Sequence, residues 1–337
     1  IFDRTYRLEE LVTLILQRLL EAAKLDRLPK HVVVGRPVHF VADESILGSD
    51  ELAEARLRRA VLDAGFAEVT FELEPVAAAA RYESRLDHDE RVLIADFGGG
   101  TTDLCLIDVG PTAKRDGARR VLGTDGVTLA GDVFDQRIIH HAVAPHLGLG
   151  SRYRAGLDLS DVPLWLYAHL ARWHHLSFLK SKKTEQLLDA ILRGATDKRG
   201  IEALKTIVDE DLGYALHQAV EAAKIELSKH DETTPPFEPV ALDVRIARTE
   251  LEAGIANDVA LTASAVDRLL ATTSVGAVDV DRVFMTGGTS LVPAVRRVFA
   301  DRFGDDKLVG GEELVSVAAG LALRAREELH RSTRTGA

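Results

Sequence analysis

A single cysteine, Cys105, is the only thiol among the 337 residues, so no internal disulfide can form and a reducing, cytoplasmic setting is expected. Basic charge is also scarce. Lys and Arg number 42 against 53 Asp and Glu, a formal net charge of -11. Binding through phosphate contacts needs the opposite balance, so no nucleic-acid partner is expected. No apolar run approaches the ~20 residues of a membrane span, so no membrane partner is expected either. Aromatic residues make up 5%, and the two Trp, Trp165 and Trp173, lie close together. No signal peptide is visible in a chain that opens on Ile1, not Met.

What is present is apolar mass. At 46% hydrophobic residues the chain can bury a sizeable core, and its length suits two packed lobes. Leu8 to Lys24 has helical spacing, Val32 to Val34 reads as a strand running into the breaker Gly35-Arg36-Pro37, and Glu51 to Ala64 is helical again. Val69 to Leu73 reads as a strand, and Pro75 opens the next helix. Val92 to Ala95 and Leu104 to Val109 form a hairpin around a glycine-rich tip. Gly131 to Ala144 is a helix, and 164–229 is almost wholly helical with loops near Gly194 to Gly200. Val240 to Ile246 alternates like a strand, and Arg282 to Met285 is another. Helices are expected over Glu250 to Leu270, Val292 to Phe303 and Glu313 to His330, with a frayed tail from Ser332. Alternating strands and helices make the class α/β.

The strongest chemical signal is Asp96-Phe97-Gly98-Gly99-Gly100-Thr101-Thr102-Asp103. Successive glycines let a backbone approach a ligand closely and turn its N–H groups toward phosphate oxygens. Thr101 and Thr102 add hydroxyl donors, and Asp96 and Asp103 are hard oxygen ligands suited to Mg2+. A plain glycine-rich turn with solvated acids is the competing interpretation. Thr286-Gly287-Gly288-Thr289-Ser290 follows a strand and suits a nucleoside lying on the backbone, though many strand-to-helix turns carry such a pair. Glu221, Lys224 and Ser228 share one helix face, which is equally a solvated polar face. Glu74 stands before the small-residue helix Pro75 to Ala80, where it either orients a water or complements the helix dipole. The pairs His140-His141 and His174-His175 lack a set of metal-ligand partners, and Lys180, Lys182 and Lys183 read as a solvated basic face.

Together these motifs resemble, in order and spacing, the ATPase domain of the heat shock protein 70 (DnaK-type) chaperone family, over about Tyr6 to Ala325. Gly131-Asp132-Val133-Phe134-Asp135 adds the family's glycine-aspartate helix start. Gly35-Arg36-Pro37-Val38, the threonine-free 77–80 and Ser316 to Leu321 look closest to its YegD-like branch. The resemblance implies an actin-like ATPase fold of two ribonuclease-H-like lobes with a helical inserted subdomain, the first lobe incomplete. It divides the chain into 1–90 for the remainder of the first lobe, 91–150 and 249–311 for the second, 151–248 for the insertion and 312–330 for a returning C-terminal helix. It also implies a bound nucleotide, ATP or ADP, with Mg2+ in the cleft, and a protein client or co-chaperone as partner.

By the same resemblance, Gly98, Gly99, Gly100, Thr101 and Thr102 cradle phosphates, and Asp96 and Asp103 hold Mg2+ through waters. Glu74 positions the attacking water. Glu221, Lys224, Ser228, Gly131, Gly287, Gly288 and Thr289 contact or line the nucleoside. Two arginines that sandwich adenine in the family are Ile225 and Leu291 here. The family's opening segment, with its first phosphate loop and assisting lysine, and its peptide-binding domain have no counterpart in the sequence, so this stretch alone is expected to turn over little ATP. An actin-like filament protein and a nucleotide-sensing scaffold without useful turnover are the other classes these loops allow.

Overall fold

The computed structural model describes residues 5–40, 49–115, 120–310 and 315–335. Its elements run α1 (Leu8–Ala23), β1 (His31–Arg36), α2 (Ser49–Asp63), β2 (Glu68–Leu73), α3 (Glu74–Glu83), β3 (Glu90–Phe97), β4 (Thr102–Val109), α4 (Pro111–Arg115), β5 (Arg120–Val127) and α5 (Gly131–Ile138). Then follow β6 (Arg152–Ala155), β7 (Asp158–Asp161), α6 (Leu164–Leu170), α7 (Leu176–Leu179), α8 (Lys182–Gly194), α9 (Lys198–Asp209) and α10 (Gly213–Lys229). Four two-residue strands come next, β8 (Glu232–Thr233), β9 (Pro236–Phe237), β10 (Leu242–Asp243) and β11 (Ile246–Ala247). The chain closes with α11 (Arg248–Gly254), α12 (Ala256–Thr273), β12 (Arg282–Thr286), α13 (Pro293–Phe303), β13 (Leu308–Val309) and α14 (Ser316–Thr335). Residues 313 and 314, the expected start of the last helix, lie outside the described residues, and its end runs on to Thr335 instead of fraying at Ser332.

Contacts divide the chain into two units. One holds 1–128, 261–290 and 298–337, the other 129–260 and 291–297. The first unit is built on a five-stranded sheet of order β13-β12-β3-β4-β5 and a parallel pair, β1-β2. In the large sheet β13, β12 and β3 are parallel, while β4 and β5 run antiparallel to their neighbours. Val92, Leu93, Ile94 and Ala95 are fully buried, so β3 is covered on both faces and needs the unbroken apolar run it has. On one face Val92, Ile94, Cys105 and Ile107 pack with Val76, Ala78 and Ala79 of α3.

α3 is itself clamped from outside by α14. The helices approach so closely that a Cβ on Gly320 would sit 1.8 Å from the Ala77 carbonyl oxygen. The alanine run 77–80, all at most 1% exposed, makes that approach possible. Arg324 of α14 reaches Glu72 of β2 at 2.6 Å, and the Ser316 hydroxyl meets the Thr286 hydroxyl at the end of β12.

The second unit is mainly helical. Leu188, Ile191, Ile201, Leu204 and Ile207 of α8 and α9 are buried, and Asp197 caps α9 by accepting from the Gly200 N–H at 3.0 Å. α5 continues through a π-turn at Ile139–Val143 and a 3-10 turn at Ala144–Leu147. Where alternation suggests a strand over 240–246, only two-residue bridges form, because Ala241 takes a left-handed turn at φ 48. The helix expected over 250–270 is two helices, parted at Ile255.

Candidate functional site

β3 leaves the sheet at Phe97 and β4 returns at Thr102. The four residues between them close on themselves, the Gly98 N–H donating to the Thr101 carbonyl at 2.9 Å. Asp96 and Asp103 are direct partners across the antiparallel ladder, so their side chains leave the sheet on one face. Both are buried, at 7% and 2% exposure. Glu74, the first residue of α3, is the third acid of this group. Its Cγ lies over Gly35 of β1, 3.1 Å from where a Cβ would stand there.

All three carboxylates are raised, by burial first. Asp96 is pushed up to about 7, by burial first and then by the charges of Glu74 and Asp103. Glu74 rises through burial and the charge of Asp103. Asp103 rises through burial, offset by hydrogen bonds from the Thr101 hydroxyl and the Val38 N–H and by the nearby His39 and Arg36. The Val38 contact is a short backbone bond to Asp103 Oδ1. It lies 65 residues away in sequence and is not legible there.

Gly98, Gly99 and Gly100 are exposed at the tip. A Cβ on Gly100 would meet nothing within 4 Å, and none of the three has a positive φ. Neither backbone strain nor packing calls for glycine at Gly100, so the open space beside it suits close approach by a ligand. Thr101 is half-buried at the tip, whereas Thr102 is buried in the first position of β4.

The second glycine turn lies alongside. Thr286 pairs with Asp96 in the parallel ladder, so the turns after β3 and β12 leave from neighbouring carboxyl ends, where open α/β sheets bind ligands. Gly287 has φ +83, and a Cβ on it would fall 1.9 Å from the Phe97 carbonyl oxygen, so this position admits glycine alone. Gly288 meets nothing within 4 Å. Thr289 and Ser290 are buried at 4% each, and the Ser290 hydroxyl donates to the Gly287 carbonyl at 2.6 Å.

The remaining candidates belong to the second unit. Lys224 Nζ lies 2.9 Å from the Asp135 carboxylate and donates to its Oδ2 and, at 3.3 Å, to the Gly131 carbonyl. Asp135 Oδ1 is buried without a hydrogen-bond partner. Burial pushes Asp135 up to about 6 against the lowering pull of Lys224. The Ser228 hydroxyl donates to the Ile225 carbonyl of its own helix at 2.7 Å, and Glu221 is exposed. Ile225 and Leu291 are each 49% exposed, so neither is core.

The Lys224–Asp135 pair carries a stability prediction. Both side chains are largely buried, at 12% and 13% exposure, so Lys224→Met leaves a buried carboxylate unpaired and is expected to cost about 3 kcal/mol near pH 8. A carboxyl raised in the folded state stabilises the fold at low pH, and that contribution is lost as pH rises through about 6. Without Lys224 the carboxyl rises further, so near pH 5 it takes a proton and the deficit shrinks. Urea midpoints at the two pH values test this, and an equal deficit at both would refute it.

Mg2+ is the ion the glycine-acid loop implies. All three carboxylates stand above their usual range, chiefly because burial disfavours their charged form, and a divalent cation would offset that cost. Among the described residues no group of three or more His, Cys, Asp or Glu is arranged to hold a metal directly. Asp96 and Asp103, buried partners on paired strands, are the carboxylates that would face an ion keeping most of its water shell.

Comparison with known proteins agrees with this geometry. The family model described as Hsp70 protein matches residues 3–158 and 184–328 and skips 159–183. Among curated proteins, the chaperone protein DnaK of Thermosipho africanus is 27% identical over 328 residues, covering 96% of this chain and 45% of the relative. That of Thermosipho melanesiensis is 26% identical over 335 residues, covering 97% and 46%. That of Thermotoga neapolitana is 25% identical over 325 residues, covering 95% and 45%. The chain thus spans less than half the length of these relatives.

Proposed function

This chain belongs to the Hsp70 family, and we propose that it binds Mg-ATP and contributes to a chaperone-type cycle in which hydrolysis drives a conformational change. The observation that carries this reading is the open glycine tip flanked by buried Asp96 and Asp103, with Glu74 beside them. The backbone N–H groups of Gly98, Gly99 and Gly100 and the Thr101 hydroxyl bind phosphate oxygens. Asp96 and Asp103 hold the hydrated Mg2+, which when bound supplies charge neutralisation at the phosphates. Glu74, raised by burial and Asp103, is a stronger proton acceptor than an ordinary carboxylate and orients water.

Gly287 and Gly288 let the nucleoside approach the chain, and Glu221 is free to meet the ribose. Lys224 and Ser228 are already engaged within their own unit, which supports a supporting role beside Gly131 more than a direct contact. In this proposal 1–90 and 312–330 form the first lobe, 91–150 and 249–311 the second, and 151–248 the insertion. The matched family favours a chaperone over a filament protein. Kinship with the YegD-like branch rests on the sequence segments alone. A cytoplasmic setting is supported by the lone buried thiol. Among the described residues no helix is long and apolar enough to cross a membrane.

The base pocket provides the test. Half-exposed Ile225 and Leu291 stand where the family carries arginines, and an aliphatic pair holds a ring by burying its faces, at ~25 cal/mol per Å2. Leu291→Asp is expected to weaken Mg-ATP binding by at least ~1 kcal/mol, from a poorly solvated charge against the ring. The melting temperature should barely change, since the position is half-exposed. Calorimetric titration with Mg-ATP and with ATP plus chelator measures both this and the metal dependence. Absence of binding in the parent protein would overturn the nucleotide reading, and unchanged affinity in the variant would overturn the clamp.

A further inference from the structure

The stretch the family model skips, 159–183, carries a surface unlike the rest of the chain. Both tryptophans of the protein lie in it. Trp165 contacts His169, which contacts His175 and Phe178, and His175 in turn contacts His174, which contacts Trp173, with ring centroids 4.5–5.7 Å apart along this path. Six rings thus form one continuous cluster. It is not core: Trp165 is 40% exposed, Trp173 52% and Phe178 60%. Large aromatic surface left in contact with water marks interaction sites in folded proteins.

The charge around the cluster is equally distinct. In a chain of net charge -11, residues 162–183 hold four cations, Arg172, Lys180, Lys182 and Lys183, and no carboxylate. Lys180 is paired with Asp211. Among the described residues Arg172, Lys182 and Lys183 have no ion-pair partner, and all three are exposed. Lys182 and Lys183 occupy the first turn of α8, behind the Ser181 cap, where positive charge opposes the helix dipole. A sequence choice that works against local stability and keeps exposed cations in the same stretch as bare aromatic rings has its reason outside the fold.

We propose that this cluster and its cations are a docking surface for an acidic protein segment bearing aromatic or large aliphatic side chains. Trp173 speaks against a bilayer as occupant. Its indole N–H is tied to Asp132 at 3.0 Å, which holds the ring to the body and sets a carboxylate at the edge of the patch. Three unpaired cations on a strongly acidic chain likewise give little footing for a nucleic-acid backbone. A protein segment matches both features, with carboxylates meeting the cations at the rim and a buried side chain meeting the rings at the centre.

Trp165 and Trp173 are the only tryptophans, so intrinsic fluorescence reports on this surface directly. The probes are a synthetic Asp/Glu peptide carrying Phe, the same peptide with Lys for its acids, phosphatidylserine vesicles and single-stranded oligothymidylate. The acidic Phe peptide is expected to give a saturable shift that weakens with salt. Lys182→Glu with Lys183→Glu should weaken that binding about tenfold or more. The exchange suits the first turn of α8, so unchanged thermal unfolding shows that the loss is not unfolding. The proposal is overturned if the acidic peptide gives no saturable shift, if vesicles or oligonucleotide bind in its place, or if the double variant binds as the parent does. Nucleotide binding plays no part in these outcomes.

Discussion

Under the proposed Mg-ATP cycle, Asp103→Asn is expected to lower ATP turnover by about 100-fold or more, the scale seen when a preorganised charged group is lost, while the fold survives. Asp103 Oδ1 accepts the Val38 N–H, and the Asn carbonyl oxygen preserves that acceptor. What disappears is one of two buried negative charges that face each other across the β3–β4 ladder. With it goes half of the proposed footing for hydrated Mg2+. Removing that charge also relieves Asp96 and Glu74, which Asp103 helps to raise, so the variant should melt at or slightly above the parent temperature. Steady-state turnover at saturating Mg-ATP, beside a thermal melt, measures both effects. Parent-like turnover would remove Asp103 from the site.

Gly320→Val should cost about 3 kcal/mol of stability, or a fall in melting temperature on the order of 6–12 °C for a unit of this size. A Cβ at Gly320 would stand 1.8 Å from the Ala77 carbonyl oxygen and 2.4 Å from its carbon. Those atoms belong to backbone, so no side-chain rotation can relieve the overlap, and the helices must separate. α3 would lose the cover that keeps its alanines dry, and Glu74 at its first turn would move with it. Gly100→Ala is the control, since a Cβ there meets nothing within 4 Å and stability should be unchanged. A Gly320 variant that melts like the parent would refute the packing argument.

The sequence revealed the parts of this molecule whose signals are local. The β3–β4 hairpin shows itself in two apolar runs around three glycines, and Pro75 marks the start of α3. β5 is not visible in the same way. Arg120 to Val127 carries two glycines and an aspartate, and it is a strand because β4 pairs with it over most of its length. The β6–β7 hairpin is equally hidden, with a polar composition and a short ladder. In the candidate site the acids and glycines are legible because their order is local. The Val38–Asp103 bond and the Lys224–Asp135 pair, 65 and 89 residues apart, are not. Helical spacing places Lys224 on a face but does not tell that its ammonium is already held by Asp135.

The seating of α14 has a mechanical consequence. One end of the helix is fastened to β12 through Ser316 and Thr286, and further along it grips β2 through Arg324 and Glu72. Between these points Gly320 is caught against a carbonyl of α3. A screw step of one residue, ~1.5 Å along the axis with ~100° of rotation, would bring Ala319 or Leu321 to the spot where only a hydrogen atom fits. α14 therefore cannot glide over α3 by small increments. It behaves as a detent, holding one notch firmly and leaving it only by lifting off, so a pull on its far end is either resisted or delivered whole to the strand that carries Thr286.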